Sequence, residues 1–357
     1  MDSNKIKCLL CGGSAELIHE KYPGYQKPDT FKIYHCNECN TSFSLPEVHT
    51  SLIYENIYKN GSKVPGYNRY WRYARFVHKF KYPFKYLSET SETYWGVREF
   101  LTGHDINKES LKILEIGSGL GYLTYSLNKE NYNAIGLDIS QTAVDRAKAT
   151  FGNYYICADL HEYARLNPGS FDLVILTEVI EHISKPVDFI KSILLLLKSD
   201  GKAIITSPNK SLYPPDIIWA TDLPPVHCWW FSEESMNYIA RSLDITISFI
   251  NYKKYYKQNF KVISLKSLRN GRLRDSFFNE NGELINEVAR TKNSIKPFLQ
   301  VLLTRIPFAS PVFNKLKQLF LTTIGSSRRL FDKDLIVCSE RGNTICAVLV
   351  KGRVNSI

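Results

Sequence analysis

The stretch Lys112-Ile-Leu-Glu115-Ile-Gly117-Ser118-Gly119-Leu-Gly121-Tyr122 decides the fold. A short apolar run reads as a buried strand, and three alternate glycines turn it into a helix near Tyr122–Asn131. Such a turn lets a ligand approach the backbone at the mouth of a sheet. Alone it is a weak signal, and its neighbours strengthen it. Asn133-Ala-Ile-Gly136-Leu-Asp138-Ile139 reads as a second strand, and a helix runs through Ala143–Phe151. Tyr154–Asp159 is a third strand and Phe171–Thr177 a fourth. A helix over Val187–Lys198 leads to a fifth, Gly201–Thr206. Strands alternating with helices predict an α/β, doubly wound, mostly parallel sheet.

Outward from this core, Phe231–Leu243 reads as a helix and Ile245–Tyr252 as a sixth strand. A seventh, antiparallel strand completing the sheet is expected at Thr344–Val350, far downstream. The chain is thus expected to divide into a zinc-ribbon module (1–48), a basic aromatic helical linker or lid (49–109) and a core (110–256). A basic amphipathic insertion (257–335) and the final core strand (336–357) follow.

Asp138 ends the second strand, where a carboxylate can accept both ribose hydroxyls of a nucleoside. Asp159 ends the third, beside the place of an adenine ring. The alternative for both is an ordinary strand-end cap. Tyr122 stands where a dinucleotide fold needs its third glycine, which argues against a pyrophosphate on this turn.

These segments resemble, in order, the motifs of class I S-adenosylmethionine-dependent methyltransferases. Glu115–Gly121 looks like the first motif, Gly136–Ser140 the second and Ala158-Asp159-Leu160 the third. Phe171–His182, with Thr177, Glu178 and Glu181, looks like the fourth, and Leu197–Ile205 the fifth. The resemblance implies that Glu115, Gly117, Gly119 and Gly121 lie by the methionine part of the cofactor, Asp138 at the ribose, and Asp159 with Leu160 at the adenine. Ser118, Ile139, Thr177 and Glu178 are further candidates for contact with the cofactor.

Of eight cysteines, four form two C-x2-C pairs, Cys8/Cys11 and Cys36/Cys39. Two tight turns aim four thiolates at one point, a tetrahedral set that suits a structural zinc ion. Gly12, Gly13 and Asn40 follow the pairs, where the backbone often needs positive φ. Tyr34 and Phe43 are the candidates to roof a very small core. A zinc module ahead of such a core is similar to bacterial sugar and surface-glycan methyltransferases. Some of these place a histidine before Phe-Ser at the next helix, the position of His227 here. The C-methylating relatives carry Tyr and Glu just before that histidine, where this chain has prolines and Val226.

For methyl transfer to a hydroxyl, His227 is the first candidate base, with His182 as rival. The alternative for His182 is a structural hydrogen bond under the cofactor. Trp229, Trp230 and Phe231 read either as a sugar or lipid platform or as core.

The net charge of +11 is uneven: +3 over residues 1–105, −1 over 106–210 and +9 over 211–357. Arg69, Arg72, Arg75, Lys79, Lys81 and Lys85 have no acid between them and suggest one cationic helix face, on a lid meeting an anionic acceptor or on a solvated helix. The segment 295–331, cut by Pro297, Pro307 and Pro311, reads as an interfacial amphipathic element, a pocket cap or a dimer contact. No signal peptide or bilayer-length apolar run is evident. The expectation is a cytoplasmic enzyme, with contact at the inner face of the membrane as one of the readings of the segment 295–331. Its cofactors would be S-adenosylmethionine and zinc, and its acceptor a saccharide or lipid-linked glycan hydroxyl. RNA as acceptor, or a non-catalytic cofactor-binding zinc scaffold, are the alternatives.

Overall fold

The computed structural model describes residues 4–48, 50–103, 107–259, 261–270, 275–285 and 335–351. The amphipathic segment expected at 295–331 lies outside them.

Strands β1 (Lys5–Lys7), β2 (Ser14–Pro23), β3 (Thr30–Cys36) and β4 (Thr41–Leu45) form an antiparallel meander. Helices α1 (Ser51–Asn60), α2 (Asn68–Phe76), α3 (Pro83–Thr90) and α4 (Glu92–Thr102) follow. The main layer alternates β5 (Lys112–Ile116), α5 (Tyr122–Lys129), β6 (Asn133–Asp138), α6 (Gln141–Phe151) and β7 (Tyr155–Cys157). It continues through α7 (Leu160–Leu166), β8 (Phe171–Thr177), α8 (Pro186–Leu196) and β9 (Leu197–Pro208). Beyond it lie β10 (Trp229–Trp230), α9 (Glu233–Ser242), β11 (Thr246–Phe249), α10 (Lys253–Gln258), β12 (Val262–Ser264) and α11 (Leu265–Asn270). Strands β13 (Leu335–Val337) and β14 (Thr344–Val350) close the described chain.

The large sheet has the order β11-β14-β9-β8-β5-β6-β7. The strands β5 to β9 pair in parallel, and β14 lies antiparallel between β9 and β11. This is the α/β, mostly parallel sheet expected from the sequence, with its seventh strand at the expected Thr344–Val350. The order reverses between β5 and β8, which opens a crevice at their carboxyl ends. Both faces of β5 are covered: Ile113 sits in one apolar core with Val97, Leu123 and Ile204, and Leu114 in another with Ile190, Ile193 and Phe231.

Three local readings change. The strand β9 begins at Leu197, whose partner is Phe171, so the helix before it ends at Leu196. Helix α7 was not foreseen; Asp159 caps it. The bases from Arg69 to Lys85 do not share one helix. The helix α2 ends at Phe76, a 3-10 turn covers Val77–Lys79, and Pro83 opens α3. Pro83 supplies no N–H and fixes φ, so a new helix starts there rather than an old one continuing.

The two sheets are joined by β10. Trp229 pairs with Phe43 and Trp230 with Ser42, which adds a fifth strand to the N-terminal meander. Trp229, Trp230 and Phe231 are all at most 3% exposed. They are core residues, and the reading of these rings as a binding platform is set aside. A third core forms between the meander, α1 and residues 275–285, where Tyr25 packs edge-on to Phe277 at 4.8 Å.

Candidate active site and thiolate cluster

The crevice opens into a cleft of about 2240 Å³. One ligand of ordinary size occupies roughly 300–1,000 Å³, so the cleft has room for two.

One half of it belongs to β5, β6 and β7. The turn after β5 holds Gly117, Gly119 and Gly121 at φ 70°, 49° and 80°, all in the left-handed region. A Cβ on Gly117 would stand 2.5 Å from Val179, and one on Gly121 2.6 Å from Tyr155, whereas Gly119 faces open space. The first and third glycines are thus required by packing and the second leaves a ledge. The Asp138 carboxylate locks this turn by accepting from Gly119 N–H at 2.7 Å and Ser140 N–H at 2.8 Å. It remains 8% exposed, toward the cleft. Ser118 borders the cleft, and its Oγ is buried on the Gly136 side without a hydrogen-bond partner among the described residues. Ile139, 75% exposed, and Leu160 line the same half.

Glu115 is fully buried and accepts a short hydrogen bond from the Thr124 hydroxyl on α5. Burial raises its pKa to about 8, against the Thr124 bond. Asp159 is exposed, and its carboxylate accepts from Glu162 N–H at 3.0 Å as the N-cap of α7 while bordering the cleft. Its side chain therefore has a capping job whatever else it meets.

The other half is built from the ends of β8 and β9 under α1, α2 and α4. Glu178 follows β8 at φ 56°, a left-handed conformation costly for a side chain of this size. Its carboxylate meets Arg69 Nη2 at 3.4 Å and the Thr93 hydroxyl at 3.3 Å. Arg69 also donates to Tyr70 at 2.6 Å. The first base of the supposed cationic face therefore points inward. Thr177 borders the cleft beside this pair.

His182 and His227 come together, their rings 4.4 Å apart and steeply tilted. Nδ1 of His182 lies 2.5 Å from the Val226 carbonyl. A carbonyl only accepts, so this nitrogen carries the proton and Nε2 keeps its lone pair. His227 Nδ1 is buried, without a hydrogen bond among the described residues, 3.9 Å from Asp222 Oδ2. Burial lowers both pKa values to about 3, helped by the neighbouring ring for His182 and by Arg69 for His227. Both rings are neutral at pH 7. Burial raises the Asp222 pKa to about 6, against the hydroxyl bond from Thr221.

Glu181 is 1% exposed, and neither carboxyl oxygen has a partner among the described residues. Burial and the Glu178 charge hold it well above the usual carboxylate range. Arg69, Thr93 and Asp222 were not read as site residues from sequence. The sequence shows Arg69, Arg72 and Arg75 as like bases at helical spacing, and nothing in it announces Glu178 as the partner of the first.

In the N-terminal meander, Cys8, Cys11, Cys36 and Cys39 bring their sulfurs within 4.8 Å of one another. The Cys8–Cys39 and Cys11–Cys36 separations are 3.7 and 3.6 Å. Four sulfurs about 2.3 Å from a central zinc ion would be about 3.8 Å apart, so the donor set and spacing fit that ion. Gly12 and Asn40 take φ 77° and 50° as expected, whereas Gly13 does not take a positive φ, and a Cβ there would meet only the movable carboxylate end of Glu38. Tyr34 and Phe43 stack at 5.9 Å to roof the cluster, and Trp229 lies 5.6 Å from Phe43.

The cluster is tied to the cleft through the chain after His227. Ser44 N–H donates to the Cys228 carbonyl at 3.0 Å, and Ser235 Oγ reaches the Cys39 carbonyl at 3.1 Å. Ser232 and Ser235, the capping box of α9, are thereby fastened to a cysteine turn.

Residues 86–247 match a family model described as a methyltransferase domain. That span is a methyltransferase domain. An enzyme of Vibrio campbellii named ubiquinone biosynthesis O-methyltransferase is 27% identical over 147 residues, 36% of this chain and 63% of that protein. A namesake from Neisseria meningitidis is 27% identical over 145 residues, 35% of this chain and 61% of the relative. The chain thus spans less than two thirds of the curated relatives it matches. A solved S-adenosylmethionine-dependent methyltransferase from Archaeoglobus fulgidus is similar over 73% of this chain and 95% of its own, at 15% identity and a TM-score of 0.41.

Proposed function

We propose that the protein transfers the methyl group of S-adenosylmethionine to a hydroxyl of a saccharide or lipid-linked glycan. One observation carries the reading. The Asp138-locked glycine turn and the His182–His227 pair face the same cleft, one at the β5–β6 edge and the other beyond the end of β8. When bound, the cofactor supplies an electrophilic methyl on a sulfonium centre. Asp138 would accept from its ribose hydroxyls, Leu160 would flank the adenine beside Asp159, and the exposed Ile139 would cover the nucleoside from the same half of the cleft.

On the acceptor side, His227 is neutral and free to take the hydroxyl proton, with Asp222 placed to hold the ring once charged. His182, held by Val226, keeps its neighbour's orientation. Tyr54, Tyr67, Tyr70, Trp71 and Trp219 give the cleft flat apolar faces with polar edges, which suit a sugar ring. The cleft's spare volume suits an acceptor larger than a single small ring. The relatives' names point to hydroxyl acceptors as well. The four cysteines would hold zinc, which would cross-link the two turns of the meander.

Calorimetry on the metal-replete chain should show S-adenosylhomocysteine binding, and labelled cofactor should pass its methyl to a glycan fraction. His227→Ala should lower turnover about 100-fold or more while keeping that affinity within threefold. No binding of S-adenosylhomocysteine to folded protein would overturn the reading. Unchanged turnover in His227→Ala would remove the base.

A further inference from the structure

The outer side of α2 and the turn after it carry side chains that the cleft does not use. Between Arg72 and Tyr86 the chain holds Arg72, Arg75, Lys79, Lys81 and Lys85 and no acid. Among these bases Phe80 is 43% exposed and Tyr82 54%. Large aromatic rings left in water beside so many cations are unusual for a merely solvated face. The rings are also ordered. Phe80 stacks on Tyr86 with centroids 3.7 Å apart. Lys79 and Arg75 lie 4.9 and 5.5 Å from the centre of Phe76, and Lys81 lies 5.3 Å from that of Tyr82. Among the described residues Arg72, Arg75, Lys79 and Lys81 have no carboxylate partner, and Lys85 meets Glu89 only at 3.9 Å. Arg72 stands at the rim of the cleft with Trp71, Ser88 and Glu89.

We propose that the segment from Arg72 to Tyr86 is a docking surface for an anionic lipid bilayer and sets the mouth of the cleft against the membrane. Each element of the patch has a counterpart in a bilayer surface. Lysine and arginine side chains reach headgroup phosphates, and exposed Phe and Tyr rings enter the zone between headgroups and acyl chains. A single-stranded nucleic acid fits less well. It is held by bases stacking on open ring faces, and here one face of Phe80 is taken by Tyr86 and one of Tyr82 by Lys81. Free phosphate compounds would use the cations and leave the aromatics without a role. No helix among the described residues is long and apolar enough to cross a membrane, so such contact would be peripheral. The inference stands apart from methyl transfer, since no residue of the patch holds the cofactor or the histidines.

The test is co-sedimentation of the full chain with vesicles of phosphatidylcholine, alone or with about 30 mol% phosphatidylglycerol. Binding should require the anionic lipid and fall as salt is raised. Lys79→Gln/Lys81→Gln should weaken partitioning roughly 25-fold, at about fivefold per charge. Phe80→Ala/Tyr82→Ala should weaken it at least about fivefold. Both double variants should melt within a few degrees of the parent, because the altered side chains are exposed. Absence of binding to anionic vesicles would overturn the proposal. So would full binding by both variants, or an RNA oligonucleotide bound as tightly as the vesicles and released by the same substitutions.

Discussion

At the β5–β7 edge the cleft is walled mainly by backbone, and at the β8–β9 edge by buried charged and aromatic side chains. In the first half three glycines and two N–H groups on Asp138 define the surface, and its carboxylates, Asp138 and Asp159, are each held by backbone N–H groups. In the second, Arg69, Glu178, Glu181, His182, Asp222 and His227 are crowded under a roof of tyrosines. A backbone cradle suits a ligand that is always the same. A crowded set of ionisable groups can be re-sorted for different acceptors without disturbing the sheet.

The comparison can be broken at several points. The greatest expected effect is on Glu115, which lies beneath the cradle and not in it. A carboxyl whose pKa rises from about 4.5 to about 8 on folding binds more protons folded than unfolded between those values. Stability should therefore fall as pH rises from about 4.5 to 8, by up to about 4 kcal/mol. In Glu115→Gln that part of the slope should vanish, as read by denaturant titration at several pH values. An unchanged slope would show that Glu115 is not held protonated.

Next comes Asp138. Asp138→Ala removes a charged acceptor of two backbone bonds and should weaken S-adenosylhomocysteine roughly 100-fold by calorimetry. His182→Gln should leave that affinity within threefold. Equal losses in both would mean that the two halves are one site and not two.

The acid limb sharpens the contrast. Histidines with folded pKa values near 3 bind fewer protons folded than unfolded below about pH 6.5. Stability should drop as pH falls, by about 1.5 kcal/mol per ring between pH 6.5 and 5. His227→Gln should remove about half of that drop, with folding followed by circular dichroism. The smallest effect is at Asp159. Loss of its cap on α7 in Asp159→Ala should cost about 1 kcal/mol of stability. Asp159→Asn should restore most of this, and any separate loss of cofactor affinity would measure the proposed adenine contact.

The same contrast explains what could be read in the sequence. The cradle is local: strand, glycine turn, helix and a carboxylate at the end of the next strand are spaced by fixed element lengths. Its outline, with β14 as the returning strand, was legible from Leu111 to Val350. The β8–β9 half is made by distant pairings. Arg69 meets Glu178 across more than a hundred residues, and His182 meets His227 across some forty-five. No periodicity records such meetings. Trp229 and Trp230 show the same limit: side-chain type alone allowed a platform or a core, and only their pairing with Phe43 and Ser42 decided for the core.

That pairing bears on how such chains can be rearranged. A ribbon whose last strand is supplied by residues 229–230 cannot be excised at residue 48 without leaving an open edge on both pieces. Any recombination that exchanges the cysteine-bearing segment must also exchange the stretch from Cys228 to Ser235, or the graft will lack its closing strand. The loop that carries His227 would thus be inherited together with the metal-type knuckles, although the two are far apart in the gene.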